Sequence, residues 1–137
     1  MKEFFAEAWD ILVRFLGAAA GLLGGGNGKI LCLMMILDYT TGLILGLMGK
    51  SKKTADGRLS ARASFNGLLK KAMMLGVIAL AAFLDHLSGQ EDHLCRAATG
   101  FYICNEGISL LENAALLGIP VPGKIRHALT ALQQDAR

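Results

Sequence analysis

The chain has 137 residues, of which 53% are hydrophobic and 18% are charged, and its formal net charge is +3. This length fits one domain, and the charged share is below the average of about 25% for soluble proteins. The three cysteines have no metal-ligand spacing, and no nucleophile–base set is present. The sequence therefore predicts a protein without a metal, a cofactor, an enzymatic step or a nucleic-acid partner.

The first element, residues 1–26, is predicted to be a helix that is amphipathic at its start and apolar at its end. Its charged side chains recur at helical spacing and form one stripe: Glu3, Glu7, Asp10 and Arg14. A helix of this kind lies on a membrane surface or packs against partner helices, and whether it crosses the membrane stays open. Gly17 and Gly21 form a GxxxG pattern, which is typical of close helix contacts.

The second element, residues 30–49, is predicted to be a transmembrane helix. The stretch Ile30–Met48 would be about 28 Å long as a helix, close to the roughly 30 Å of a hydrocarbon core. Asp38 lies in its middle. An aspartate there costs about 2.5–3.5 kcal/mol on insertion scales, so we expect Asp38 to be paired, protonated or facing water. Gly42 and Gly46 repeat the GxxxG pattern and are candidates for helix packing.

A basic loop is predicted at residues 50–71, where one acidic residue, Asp56, faces seven bases. Short basic loops stay in the cytoplasm, and anionic lipid attracts each base by about 1 kcal/mol near the surface. The later loop that carries Glu91 and Asp92 then lies outside. The candidates for orienting the chain and for contacting lipid head groups are Lys50, Lys52, Lys53, Arg58, Arg62, Lys70 and Lys71.

Two further spans are predicted at residues 68–87 and 96–118, followed by a cytoplasmic tail at residues 119–137. In the first of them, Lys70 and Lys71 would extend to the membrane interface. The second is amphipathic, because its polar residues follow one side of a helix. The candidates for lining a pore or contacting another subunit are Asp38, Asn105, Glu106, Ser109, Glu112 and Asn113.

The acidic side chains of these spans have no evident partner base. One short chain offers little surface on which to bury Asp38, Glu106 and Glu112. We therefore expect a homo-oligomer that gathers these side chains around water or around each other. Hydrogen bonding among four helices of one subunit is the alternative.

Several stretches resemble one known family. They are LDYTTG around Asp38, SFNGLLKK over Ser64–Lys71, the helix end at Asp85, and FYICNEGISLLENAALLGIPVPGKI over Phe101–Ile125. Over residues 28–132 they resemble the phage holins, a family that includes toxin-secretion and lysis proteins of clostridia and related bacteria. The resemblance implies a multi-pass protein of the bacterial inner membrane that is made late in phage infection. It also implies that the protein oligomerises and permeabilises the membrane, so that an endolysin or a toxin can cross.

The expected fold is an all-α integral membrane protein with three to four transmembrane or membrane-associated helices. One alternative function is a small ion or proton channel or transporter that uses Asp38, Glu106 and Glu112 as relay groups. The lack of an inverted repeat weighs against it. Another alternative is a membrane adaptor whose basic loop docks a partner.

Overall fold

The described part of the chain forms a bundle of five helices. The computed structural model describes residues 1–22 and 26–135, without the side chains of residues 8, 12 and 15–22, and it contains no strand in this part of the chain. The prediction of an all-α fold is confirmed. The helices are α1 (Lys2–Leu22), α2 (Gly26–Leu47), α3 (Ala61–Ser88), α4 (His93–Leu116) and α5 (Gly123–Asp135).

The connection between α2 and α3 is shorter than the basic loop predicted at residues 50–71. α3 begins at Ala61, so only residues 48–60 connect the two helices. Ser60 caps the start of α3, because its Oγ accepts a hydrogen bond from the backbone N–H of Ala63 at 3.4 Å. The bases that follow do not prevent helix formation, since Lys and Arg are good helix formers.

The tail predicted at residues 119–137 forms a helix over most of its length. α4 ends at Leu116, and Gly118 follows with a φ of 82°, a left-handed conformation that favours glycine. α5 then packs on α4, where Leu129 contacts Gly107. The turn at Gly118 therefore returns the chain to the bundle.

The hydrophobic core lies where α2 meets its neighbours. α2 packs chiefly against α4, α4 also contacts α3 and α5, and α1 packs on α2. Side chains from α1 and α4 cover the core, among them Trp9, Tyr102 and Ile103. The buried members of the core are Leu31, Cys32, Met35, Tyr39, Leu75 and Ile78.

α1 runs antiparallel to α2. Met1 and Phe5, at the start of α1, line the same pocket as Gly46 and Met48, at the end of α2. Trp9 packs against the core that α2 forms with α3. The first half of α1 therefore follows α2 from its end toward its middle.

Two helices in the described part of the chain, α2 and α3, are long and apolar enough to cross a membrane. In the most apolar window of each helix, 39% of α2 and 22% of α3 is buried, so most of these side chains point away from the core. A core helix of a soluble protein would bury them, so the exposed surface indicates contact with lipid. Its large members are Ile30, Leu33, Leu37, Ile44, Leu69, Met73, Val77, Leu80 and Phe83.

α4 covers most of the span predicted at residues 96–118, but it is not among the helices that pass this test of length and hydropathy. Its middle carries Asn105, Glu106 and Glu112, whose polar groups lower the mean hydropathy. The crossing of the membrane by α4 therefore stays a prediction.

Candidate functional site

A buried lysine joins two carboxylates at the centre of the bundle. Lys71 Nζ, from α3, donates a hydrogen bond to Asp38 Oδ2 of α2 at 2.8 Å and another to Glu106 Oε2 of α4. The three side chains are no more than 5% exposed. We call this group the ion triad, and it joins the three helices through one ammonium.

The carboxylate of Asp38 receives further hydrogen bonds from α4. Ser109 Oγ donates to Asp38 Oδ1 at 2.6 Å. Asn113 Nδ2 lies 3.2 Å from the same oxygen and 2.9 Å from Thr41 Oγ1. Buried charges are tolerated when they are both paired and hydrogen-bonded, and Asp38 meets both conditions inside one subunit.

A second ion pair ties the basic connection to α4. Lys52 Nζ lies 2.7 Å from Glu112 Oε2 and 3.1 Å from Ser109 Oγ. The two charged side chains are 29% and 47% exposed, so solvent screens this pair far more than it screens the triad. Through Ser109 the pair is nevertheless continuous with the hydrogen bonds of Asp38.

Lys53 reaches between α2 and α3. A methyl group at either Gly42 or Gly67 would lie 3.6 Å from its Nζ, so the ammonium occupies the space beside these two glycines. The residue as a whole is exposed, but the burial of its ammonium lowers the pKa of Lys53 from its usual value.

The glycines of α2 therefore pack differently from the sequence-based prediction. Gly42 faces Lys53, and a Cβ at Gly46 would lie 2.8 Å from Leu59 Cδ1 and 3.2 Å from Leu59 Cα. Within this subunit both positions make room for the connection at residues 48–60, and their packing against another helix stays a prediction. The surroundings of Gly17 and Gly21 lie outside the part of the chain that the structure describes.

A crevice of about 560 Å³, with both charged and apolar residues in its wall, opens beside the triad. It lies between α2, α3 and α4. Its polar lining comes from the triad, the connection, α3 and α4, and includes Asp38, Lys53, Asn66, Lys70, Lys71, Asn105, Glu106 and Ser109. We call it the central crevice, and it brings charged groups within reach of molecules outside the bundle.

The structure joins most of the predicted polar residues by hydrogen bonds, whereas Asn105 lines the same crevice without a bond to the triad. Asp38, Glu106, Ser109 and Asn113 meet around Lys71. Asn105 instead accepts a hydrogen bond through Oδ1 from Gln133 Nε2 of α5 at 3.2 Å.

Lys71 is the functional residue that the sequence analysis misplaced. Its predicted position at the membrane interface is wrong, because the residue is only 4% exposed. The premise that Asp38 and Glu106 lack a partner base is wrong for the same reason. The sequence did contain an indication that Lys71 is buried. Lys71 precedes the buried Leu75 and Ile78 by four and seven residues, so it shares their helix face. The other bases of the predicted set are exposed: Lys50, Lys52, Lys53, Arg58, Arg62 and Lys70.

Asp85 has a structural role near the end of α3, next to the start of α4. Its Oδ1 accepts a hydrogen bond from the backbone N–H of Leu94 at 3.0 Å, and its Oδ2 accepts one from Cys95 at 2.8 Å. These N–H groups belong to the first turn of α4 and have no partner within the helix. Asp92, at the N-cap position, makes no such bond with its side chain. Asp85 therefore caps α4 from α3.

The profile of the bacteriophage holin family matches residues 11–134. The chain belongs to the bacteriophage holin family. The family resemblance drawn from the sequence motifs is confirmed, and the membrane character of holins agrees with the exposed apolar surface of α2 and α3.

Several relatives are similar to this holin-family chain. An uncharacterized 14.9 kDa protein of Clostridium perfringens is 41% identical over 103 residues, which cover 74% of this chain and 73% of the relative. A protein of Clostridium perfringens strain 13 is 41% identical over 124 residues, 88% of this chain and 87% of its own length. A probable holin of Bacillus phage phi105 is 32% identical over 113 residues, 80% of this chain and 78% of that protein. No solved structure matches the chain.

Proposed function

We propose that the protein assembles as a homo-oligomer in the bacterial cytoplasmic membrane and permeabilises it, so that an endolysin or a toxin can cross. The observation that carries the proposal is the ion triad of Asp38, Lys71 and Glu106, buried within a bundle in which α2 and α3 expose an apolar surface. No enzymatic step is part of the proposal.

The triad suits a protein that changes between two states. Charged groups inside a membrane are tolerated when they pair with one another or face water, and exposure to lipid is costly. We call the subunit with the buried triad the closed state. In this state Lys71 neutralises much of the charge of Asp38 and Glu106. Permeabilisation requires an opening in the membrane, which we call the lesion. When the helices separate to form it, the same groups would line water. Apolar residues at all three positions together would favour only the closed state.

Orientation follows from the connection between α2 and α3. Its bases favour a cytoplasmic position, and the turn between α3 and α4 would then lie outside. α4 would then return as a third span. Its low hydropathy does not prevent this, because Glu106 and Asn113 are buried against neighbouring helices rather than exposed to lipid.

α1 supports self-association. Asp10 and Arg14 form an ion pair at 3.5 Å, and their side chains are 68% and 82% exposed. Glu3 and Glu7 on the same stripe are also exposed. Because α1 packs along the apolar α2, these charges would be unfavourable in contact with lipid. A second copy of the chain or the water of a lesion would cover them.

The test is expression in a bacterial host, followed by culture turbidity and by entry of a dye that intact membranes exclude. We expect growth to stop abruptly after a delay, together with entry of the dye. Gradual depolarisation without dye entry would instead support an ion or proton channel, for which the buried titratable triad could serve as a relay. Normal growth at a high membrane concentration of the protein would support the alternative of a membrane adaptor whose basic loop docks a partner.

A further inference from the structure

We propose that the central crevice binds the phosphate of an anionic phospholipid head group through Lys53, with Lys70 at its rim. This inference requires contact with a membrane but does not depend on the formation of a lesion. It differs from a general attraction between bases and lipid, because it selects two lysines and leaves out Lys50, Arg58 and Arg62.

The first argument is the lack of a counter-ion for Lys53. Its ammonium lies beside Gly42 and Gly67, and among the described residues no carboxylate forms an ion pair with it. Asp38 and Glu106 attract Lys53 from a longer distance, but both form their ion pairs with Lys71. An anion entering the crevice would therefore meet a partly desolvated cation without an ion-pair partner.

The second argument is the charge of the crevice wall. Lys53, Lys70 and Lys71 line it together with two carboxylates, those of Asp38 and Glu106. Three ammonium groups against two carboxylates give the wall a net charge of +1, because the triad of Lys71, Asp38 and Glu106 carries −1 and Lys53 and Lys70 add +2. The uncompensated charge favours a monovalent anion such as a phosphodiester.

The third argument is the set of neutral hydrogen-bond donors. Asn66 and Asn105 also line the crevice. Asn105 Oδ1 is occupied by Gln133, and within the described part of the chain its amide hydrogens have no partner. Amide hydrogens and ammonium groups are donors only, and phosphate oxygens are acceptors. This set therefore matches a phosphate better than it matches a cation.

The fourth argument selects a lipid over a small soluble anion. Leu69 and Met74 form part of the crevice wall, and the exposed side chains of Phe65, Leu69 and Met73 lie on the same helix, α3. An acyl chain could follow this apolar surface while its phosphate enters the crevice. Basic pockets between membrane helices on the cytoplasmic side are a recognised type of head-group site.

The experiment measures binding of short-chain phosphatidylglycerol to the full-length protein in a zwitterionic detergent, by native mass spectrometry. Phosphatidylcholine and inorganic phosphate are the comparison probes. We expect Lys53→Gln and Lys70→Gln each to weaken phosphatidylglycerol binding about fivefold. Lys50→Gln is the matched control, since it removes the same charge from the same connection but does not line the crevice. It should change binding by less than about twofold.

Two results would overturn the proposal. Equal weakening by Lys50→Gln would show a diffuse attraction to the basic surface. Displacement of the lipid by inorganic phosphate at comparable concentrations would identify a site for free phosphate. Circular dichroism of each variant checks that the helices remain. If Lys53→Gln and Lys70→Gln weaken lipid binding to a similar extent, a local folding defect in one variant does not explain the loss. The binding experiment does not measure lysis. A negative result would therefore overturn the lipid site without bearing on permeabilisation, which the dye-entry experiment tests.

Discussion

Lys71 Nζ lies 2.8 Å from Asp38 Oδ2, although the two residues are 33 positions apart in the sequence. This contact, together with that to Glu106, pairs the buried charges of the triad inside one subunit. Oligomers are therefore not needed to bury the acids of the closed state. Their role in the proposed function belongs to the lesion state, in which the same groups would face water.

Lys71→Met should destabilise the bundle strongly. The change leaves two buried carboxylates without their ammonium, and breaking a buried pair costs about 3–5 kcal/mol. Thermal unfolding in detergent and sensitivity to protease measure the effect. Lys70→Met is the matched control, because Lys70 precedes Lys71 directly and is exposed, so the loss should be below about 0.5 kcal/mol. Equal losses for the two variants would contradict the burial of Lys71.

Asp38→Leu should increase the amount of protein in the membrane but delay or abolish lysis. Removing the carboxylate favours insertion by about 3 kcal/mol and leaves Lys71 with one partner, Glu106, in the closed state. Asp38→Asn should give an intermediate result, and Glu106→Leu should resemble Asp38→Leu. Culture turbidity after induction is measured together with the protein in the membrane.

The control for this series is Ile108→Leu in α4, a half-buried apolar position at which lysis timing should not change. Normal timing with Asp38→Leu at equal protein levels would assign Asp38 a purely structural role.

Cysteine labelling should show that the two ends of α3 lie on opposite sides of the membrane. Ala55→Cys, in the exposed basic connection, should react only with a reagent that reaches the cytoplasm. Gln90→Cys, in the exposed turn before α4, should react from outside. Both should react equally in detergent, which controls for local accessibility. Labelling of Ala55→Cys from outside would reverse the orientation.

Asp85→Ala should loosen the start of α4. It removes the acceptor of two backbone N–H groups, those of Leu94 and Cys95, and loss of a cap costs about 1–2 kcal/mol. Hydrogen exchange at these two amides should accelerate. Asp92→Ala is the control, because the Asp92 side chain makes no capping bond. If Asp92→Ala had the larger effect, the assignment of the cap to Asp85 would be wrong.

Deletion of residues 2–14 should change assembly or lysis timing without preventing insertion. The segment carries the exposed charged stripe of α1, whereas α2 and α3 carry the apolar surface that drives insertion. Membrane fractionation and crosslinking separate the two effects. A chain that no longer reaches the membrane would identify the segment as a targeting span.

The sequence alone indicated α1 to α4 and the family, whereas α5 lies in the stretch predicted as a tail. Hydrophobic length and spacing are local properties, so the apolar stretch around Asp38 and the polar side of α4 could be recognised without knowing what they contact. The start of α3 was misjudged because the bases of residues 61–71 resemble those of the preceding connection, and Ser60 alone marks the boundary. The family motifs were likewise sufficient for the assignment that the profile confirms.

Only the tertiary structure decided which charges meet. Lys70 and Lys71 are chemically identical neighbours, and the face that α3 turns toward α2 and α4 buries one and exposes the other. The same holds for Gly42, whose missing side chain makes room for an ammonium from the connection rather than for another helix. Pairing between distant residues depends on how three helices pack together, because a rotation of one helix by a single residue would exchange the lysines at the centre of the bundle.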